Sequence, residues 1–148
     1  MPDQTTKSVI VGAPAAEVFA AWANFENFPH FMKHIKSVTR TGERTTRWVA
    51  DGPLGKDVEW EAETTRYEPP TRIAWHSMEN SPVRTSGQVT FTELPNAQTE
   101  ITVTLHYVAP GGVAGEKLAA LLTNPEDMLE EDLRNFKAFV EGRVAAAR

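Results

Sequence analysis

The sequence predicts an α+β fold: a seven-stranded, curved antiparallel sheet wrapped around one long helix at the end of the chain. Two short helices fall between the first and second strands. Three observations predict it. The longest run of helical period comes last, and six runs of strand period precede it with no helix among them. The links between those runs are too short for the crossovers that parallel strands need, so the sheet is an antiparallel meander. A helix with an apolar stripe must cover something, and here a sheet is what precedes it.

Each element has a local cause. Ser8–Val11 reads as a short first strand ended by Gly12. Pro14 suits the opening of a helix whose Val18, Phe19 and Trp22 share a face. Phe25–Met32 is dense in aromatic residues and interrupted by Pro29, which predicts a short second helix. From there the period changes to two, in Ile35–Arg40, Arg44–Ala50, Val58–Tyr67, Arg72–Met78, Gly87–Glu93 and Thr99–Tyr107. Turn material separates these runs: Asp51-Gly52-Pro53-Leu54-Gly55, Pro69-Pro70 and Pro95-Asn96. The first strand is expected to join the sheet beside the last one.

The long helix spans Asn124 to about Val144. Asn124 is a good N-cap, Pro125 suits the first helical position, and Glu126 and Asp127 put negative charge at the positive end of the helix dipole. Leu129, Leu133, Phe136 and Val140 recur at spacings of four, three and four, forming one apolar stripe that Met128 and Phe139 widen. Glu130, Glu131, Arg134, Lys137 and Glu141 take the wet side, with Glu130 and Arg134 spaced for an ion pair.

Alternation along the strands predicts one dry face. Ile101, Val103, Leu105 and Tyr107 point one way, and Thr102, Thr104 and His106 the other. Val58, Trp60 and Ala62 oppose Glu59, Glu61 and Glu63, and Val89 and Phe91 oppose Gln88, Thr90 and Thr92. A strongly twisted sheet with one apolar face and one helix across it cannot touch that helix everywhere. The space left between them is where function is expected.

Composition bounds the rest. A chain of 148 residues with 41% hydrophobic content reads as one domain, residues 1–148, large enough for a real core. A net charge of −5 argues against nucleic acid as a partner, because no surplus of Lys and Arg exists to neutralise phosphates. The lack of cysteine excludes disulfides, thiolate metal sites and Cys nucleophiles. Met1 to Lys7 is polar, with no secretory signal, and no apolar run approaches transmembrane length. A cytoplasmic protein is expected.

Pro14-Ala15-Ala16-Glu17-Val18-Phe19-Ala20-Ala21-Trp22, followed by Phe25–Met32, resembles the opening of the START-like, Bet v 1-like superfamily (SRPBCC). The nearest branch is that of the polyketide cyclase/dehydrase-like proteins. Arg47-Trp48-Val49-Ala50, Gly52-Pro53-Leu54-Gly55, Val58-Glu59-Trp60, Ile73-Ala74-Trp75-His76-Ser77 and Glu131-Asp132-Leu133-Arg134-Asn135-Phe136-Lys137 also match that branch. The resemblance covers nearly the whole chain. It implies the helix-grip fold with a hydrophobic cavity under the C-terminal helix, and it supplies no particular reaction.

The residues expected to line such a cavity are Trp60, Trp75, Phe91, Val103 and Tyr107 from the strands and Leu129, Leu133 and Phe136 from the helix. Trp48 shares a side with Ala50, while Arg47 shares the other with Val49, and the pattern leaves open which side is dry. Phe28 and Met32 join the candidates as part of the Phe25–Met32 segment, read either as a plug of the sheet's end or as a lip at a cavity mouth. Gly111-Gly112, before Val113–Leu122, is a candidate hinge for a second lip. Any one of these apolar residues is first a core residue, worth about 1.5–3 kcal/mol when buried whether or not a ligand is near.

Catalytic constellations are thin. His30 and His34 are four apart, but Pro29 and the strand onset disfavour a shared helical face, so no metal site is expected. His106 falls on the wet face. Glu59, Glu61 and Glu63 form a solvated strand face rather than a carboxylate cluster. The candidate catalytic residues are Tyr107, as a hydroxyl orienting a carbonyl ligand, with His76 and Arg47. Three functional readings follow. The favoured one binds a hydrophobic or aromatic small molecule of lipid, polyketide or isoprenoid type, without a cofactor. The second is a cyclase or dehydratase acting on a ligand held in the same cavity. The third is an interaction module with a filled core and a basic docking strip of Lys33, His34, Lys36, Arg40 and Arg44.

Overall fold

In a computed structural model that describes residues 3–32, 35–51, 57–78, 84–108 and 125–146, the strands are β1 (Asp3–Val11), β2 (Ile35–Arg40), β3 (Thr45–Asp51), β4 (Asp57–Glu68), β5 (Arg72–Ser77), β6 (Arg84–Leu94) and β7 (Gln98–Val108). They form one curled antiparallel sheet in the order β1-β7-β6-β5-β4-β3-β2. The meander is complete from β2 to β7, and β1 pairs with β7 as expected, with Val11 opposite Thr99 and Asp3 opposite Tyr107. The first strand is longer than the sequence suggests: it begins at Asp3, not Ser8, because its polar half lies at a sheet edge.

Helix α1 (Ala15–Ala23) follows β1, with Pro14 just ahead of it in an extended conformation. A 3-10 helix spans Phe25–His30, where Pro29 and three aromatic or imidazole side chains favour a short tight turn over a regular helix. The long helix spans Pro125–Ala146. Asn124, the turn over 52–56, Lys33, His34, Gly111-Gly112 and Val113–Leu122 lie outside the described residues.

The helical stripe packs as its spacing demands: Leu129, Leu133, Phe136 and Val140 are between 0 and 6% exposed. Phe136 meets Trp22 of α1 and Phe31 edge-on, each at 5.0 Å between ring centroids. The helix is also held by polar contacts. Asn135 Nδ2 donates to the Phe31 carbonyl at 3.2 Å, and the Gly12 amide donates to Glu141 Oε2 at 2.7 Å. Glu141 accepts from Lys137 one turn back as well. Glu130, expected to pair with Arg134, lies instead 3.8 Å from Lys7 of β1.

Two bulges, in β2 and β4, reset which face the residues beyond them present. One falls between Thr64 and Arg66, the other between Ile35 and Ser37. Before the first bulge Val58, Trp60, Ala62 and Thr64 face inward; after it Tyr67 takes the inward register opposite Ile73, with its ring 5.3 Å from Phe19. Such an extra residue reverses the alternation of everything beyond it.

Leu133→Ala is expected to cost about 2–5 kcal/mol in chemical denaturation, as core truncations do, and a loss below about 0.5 kcal/mol would mean the helix is not packed on the sheet. The Glu141 clamp has a pH signature. Burial alone would raise its carboxyl, but hydrogen bonds from Lys137 and the Gly12 amide, with the Lys137 charge, hold it below the ordinary value of 4.5. A carboxyl depressed in the folded state stabilises above its unfolded value and loses that contribution as pH falls through its folded value. The Tm difference between wild type and Glu141→Gln should therefore be widest above pH 4.5 and shrink on acidification below it.

Candidate functional site

The concave face of the sheet is ordered in transverse rows, because antiparallel register places inward side chains side by side across strands. In one row Val103, Val89 and Ile73 lie opposite one another and are 2, 0 and 0% exposed. Beside it Ile101 and Phe91 are buried next to half-buried Val9, and Phe19 and Trp22 pack on this row, with Phe91 5.1 Å from the Phe19 ring. This part of the interior is solid core.

One position further along the same strands the packing relaxes. Here Thr5, Leu105, Gly87, Trp75 and Thr64 stand in register from β1 to β4. Leu105, Trp75 and Thr64 are only half-buried. Gly87 is in this row for a steric reason: a Cβ there would lie 2.7 Å from Trp75 Cζ2 and 3.0 Å from the Thr104 carbonyl oxygen. The missing side chain lets the Trp75 indole lie against the backbone of β6. Beyond this row come Thr85 and Ser77, joined by a hydrogen bond from the Thr85 amide to Ser77 Oγ at 3.1 Å.

Trp60 opens a second approach. It pairs with Trp48 across β3 and β4, their rings stacked at 5.9 Å and 13°. The Trp48 side left open by the sequence is the inward one: its ring is 9% exposed and Nε1 donates to Thr46 Oγ1 at 2.9 Å. From Trp48 the rings continue through Phe28 at 5.2 Å and Trp22 at 5.4 Å to Phe136, a continuous aromatic path from half-buried Trp60 to the long helix. Trp22 Nε1 is buried without a hydrogen-bond partner among the described residues, and the Trp22 ring makes T-shaped contacts with the rings of Phe28, Phe91 and Phe136.

The candidate lining residues thus divide. Phe28, Trp48, Phe91, Val103, Leu129, Leu133 and Phe136 are all at most 9% exposed and pack in the core. Met32, Trp60 and Trp75 are half-buried against it. Tyr107 occupies the register position opposite Thr85 and Asp3, but its side chain lies outside the described residues. Of the Phe25–Met32 segment, Phe28 and Phe31 are each 2% exposed, so the plug is the part that the structure displays.

Two catalytic candidates face away from the interior. Arg47 is exposed and its guanidinium donates to Glu59 on the outer face. His76 lies in register with Glu63, its Nε2 3.3 Å from that carboxylate, and its Nδ1 is 2.8 Å from the Ser77 carbonyl. Alternation opposite Trp48 and Trp75 dictates both placements. The basic strip is partly neutralised, since Lys36 Nζ donates to Asp57 at 3.0 Å. His30 stacks on Phe139, with ring centroids 5.8 Å apart.

Sequence reasoning passed over Thr5, Thr64, Ser77, Thr85, Leu105 and Gly87. Ser77 stands two residues after Trp75, so alternation alone could have found it. Thr64 likewise continues the alternation of Val58, Trp60 and Ala62, whereas Thr5 needed the true start of β1.

Residues 11–137 match the polyketide cyclase / dehydrase and lipid transport family, and the chain belongs to it. None of the curated proteins matches the chain. Among solved structures, a protein from Deinococcus radiodurans is 32% identical, with 92% of this chain and 95% of that one covered and a TM-score of 0.73. The Zhui aromatase/cyclase from Streptomyces sp. R1128 is 23% identical over 99% of this chain and 98% of its own, with a TM-score of 0.82. A START superfamily protein from Mycobacterium smegmatis is 17% identical over 94% and 97%, with a TM-score of 0.73. The last two share the helix-grip fold. Among the described residues, no helix is long and apolar enough to cross a membrane.

Gly87→Ala tests the seat of Trp75. The new methyl must displace the indole, because the Thr104 carbonyl on its other side is backbone. Overpacking of this kind costs about 1–3 kcal/mol. Denaturation should show that loss together with a changed near-UV dichroism of the indoles, and unchanged stability with an unchanged spectrum would contradict the placement.

Proposed function

We propose that the protein binds a hydrophobic or aromatic small molecule, of lipid, polyketide or isoprenoid type, between the sheet and the long helix. The observation that carries this reading is the change in burial along single strands. Ile73 is 0% exposed, yet Trp75, two residues on and facing the same way, is half-buried, as is Trp60 at the end of the aromatic path. Large indoles turned inward and not closed over are the surfaces that an apolar ligand would cover, at about 25 cal/mol per Å² of apolar area removed from water. The family's description, which includes lipid transport, supports the same reading.

A second reading, a cyclase or dehydratase holding its substrate in the same space, is favoured by the other half of that description and by the likeness to an aromatase/cyclase. A pocket that folds a poly-ketone chain gains rate from proximity with few catalytic groups. Against it, Arg47 and His76 point outward, and the row through Trp75 offers hydroxyls but no acid or base. Tyr107 remains its candidate polar group.

Titration with a fluorescent fatty-acid analogue separates these ideas. Trp60→Ala should remain folded and bind the analogue about tenfold more weakly, the scale of one lost aromatic contact. Binding that is unchanged by the substitution contradicts the first reading. Acceleration of poly-ketone cyclisation above the uncatalysed rate would move the conclusion to the second.

A further inference from the structure

Inward hydroxyls fall into two groups. In the closed part of the interior they are used up. Thr99, 0% exposed, donates from Oγ1 to the Ala13 carbonyl at 2.7 Å, and Thr46 Oγ1 accepts from Trp48. Around Trp75 they are not. Thr5 is 4% exposed, yet its Oγ1 has no hydrogen-bond partner among the described residues. Ser77 Oγ accepts from the Thr85 amide, which leaves its own proton to donate. Thr85 Oγ1 donates to the His106 carbonyl at 3.1 Å, which leaves its lone pairs to accept.

These three residues flank the row Leu105–Gly87–Trp75: Thr5 is opposite Leu105, and Thr85 and Ser77 stand one step beyond Gly87 and Trp75. A buried hydroxyl without a partner is destabilising, and structures rarely keep one without cause. A partner that arrives with a ligand removes the penalty.

We propose that Thr5, Ser77 and Thr85 form a polar subsite for the oxygen substituents of the bound molecule. The ligand class is then an aromatic or apolar body that lies on Trp75 and carries a hydroxyl or carbonyl at its edge. Thr5 supplies both a donor and an acceptor, Ser77 a donor and Thr85 an acceptor. This inference rests on the binding reading above and narrows it: a purely hydrocarbon ligand would leave Thr5 unsatisfied.

Calorimetric titration with 2-naphthol and with 2-methylnaphthalene, equal in shape and different in one hydroxyl, tests it. Wild-type protein should prefer 2-naphthol. Thr5→Val should weaken 2-naphthol binding about threefold to tenfold, the factor for one net hydrogen bond, and leave 2-methylnaphthalene unchanged. Its Tm should equal or exceed that of wild type, because a methyl replaces an unpartnered hydroxyl. Thr5→Ala carries the test if Thr5→Val fails to fold, whereas Ser77→Ala would also take the acceptor from the Thr85 amide. Equal affinity for both probes, or equal losses for both in the variants, overturns the subsite while leaving the binding reading in place. Wild-type protein that takes neither probe overturns the binding reading and the subsite with it.

Discussion

One helix is too narrow for this sheet, and the rest of the molecule adapts to that. An α-helix with its side chains is about 10–12 Å across. Strands of eleven residues, such as β6 and β7, are about 36 Å long at a rise near 3.3 Å per residue. The long helix therefore covers a band of the concave face and no more. Helix α1 and the 3-10 helix close one end, where Phe19, Trp22, Phe28 and Phe31 complete the core. Toward the other end, inward side chains on the same strands lose cover among the described elements. The division of the interior into a solid part and a looser part follows from dimensions, before any particular chemistry is considered.

That division explains what could be read in advance. The strands, their order and their dry face follow from a period of two and short links, and the long helix follows from its stripe. Single-strand alternation also decides that Glu59, Glu61 and Glu63 stay wet, and that His76 must oppose Trp75. It leaves Trp48 open because Trp48-Ala50 and Arg47-Val49 are both plausible inner pairs. The Glu59 carboxylate on the next strand settles the matter, since it gives the Arg47 guanidinium an outer-face partner. Cross-strand neighbours depend on register, which runs unbroken between β3 and β4 but is shifted elsewhere by two bulges that leave no signature in composition.

The site was less legible than the fold for the same reason. A pattern of apolar residues identifies the inner face but does not separate core from contact surface, so Phe28, Phe91 and Leu133 looked as suitable as Trp60. Position along the strand makes the distinction, and that is a property of the assembled rows. Small and polar residues carry no hydrophobic signal at all. Gly87 matters through the atoms it lacks, and Thr5 through the strand that it extends beyond the apolar pattern.

Stability and recognition are thereby assigned to neighbouring residues of the same strands. Ile73 and Val89 have no exposed surface left for a ligand, and truncating them would be felt only as lost packing. Trp75 and Gly87, two residues away on each strand, pack against each other and shape the space above them. The rigidity of the first pair benefits the second: an indole seated on a glycine, with its strand anchored by a dry row, loses little conformational freedom when it is covered. Preorganisation of this sort lowers the cost of association without adding a contact. A sheet half closed by helices thus supplies both a core that holds its shape and, at the far end of the same strands, a surface already held in the geometry that a ligand meets.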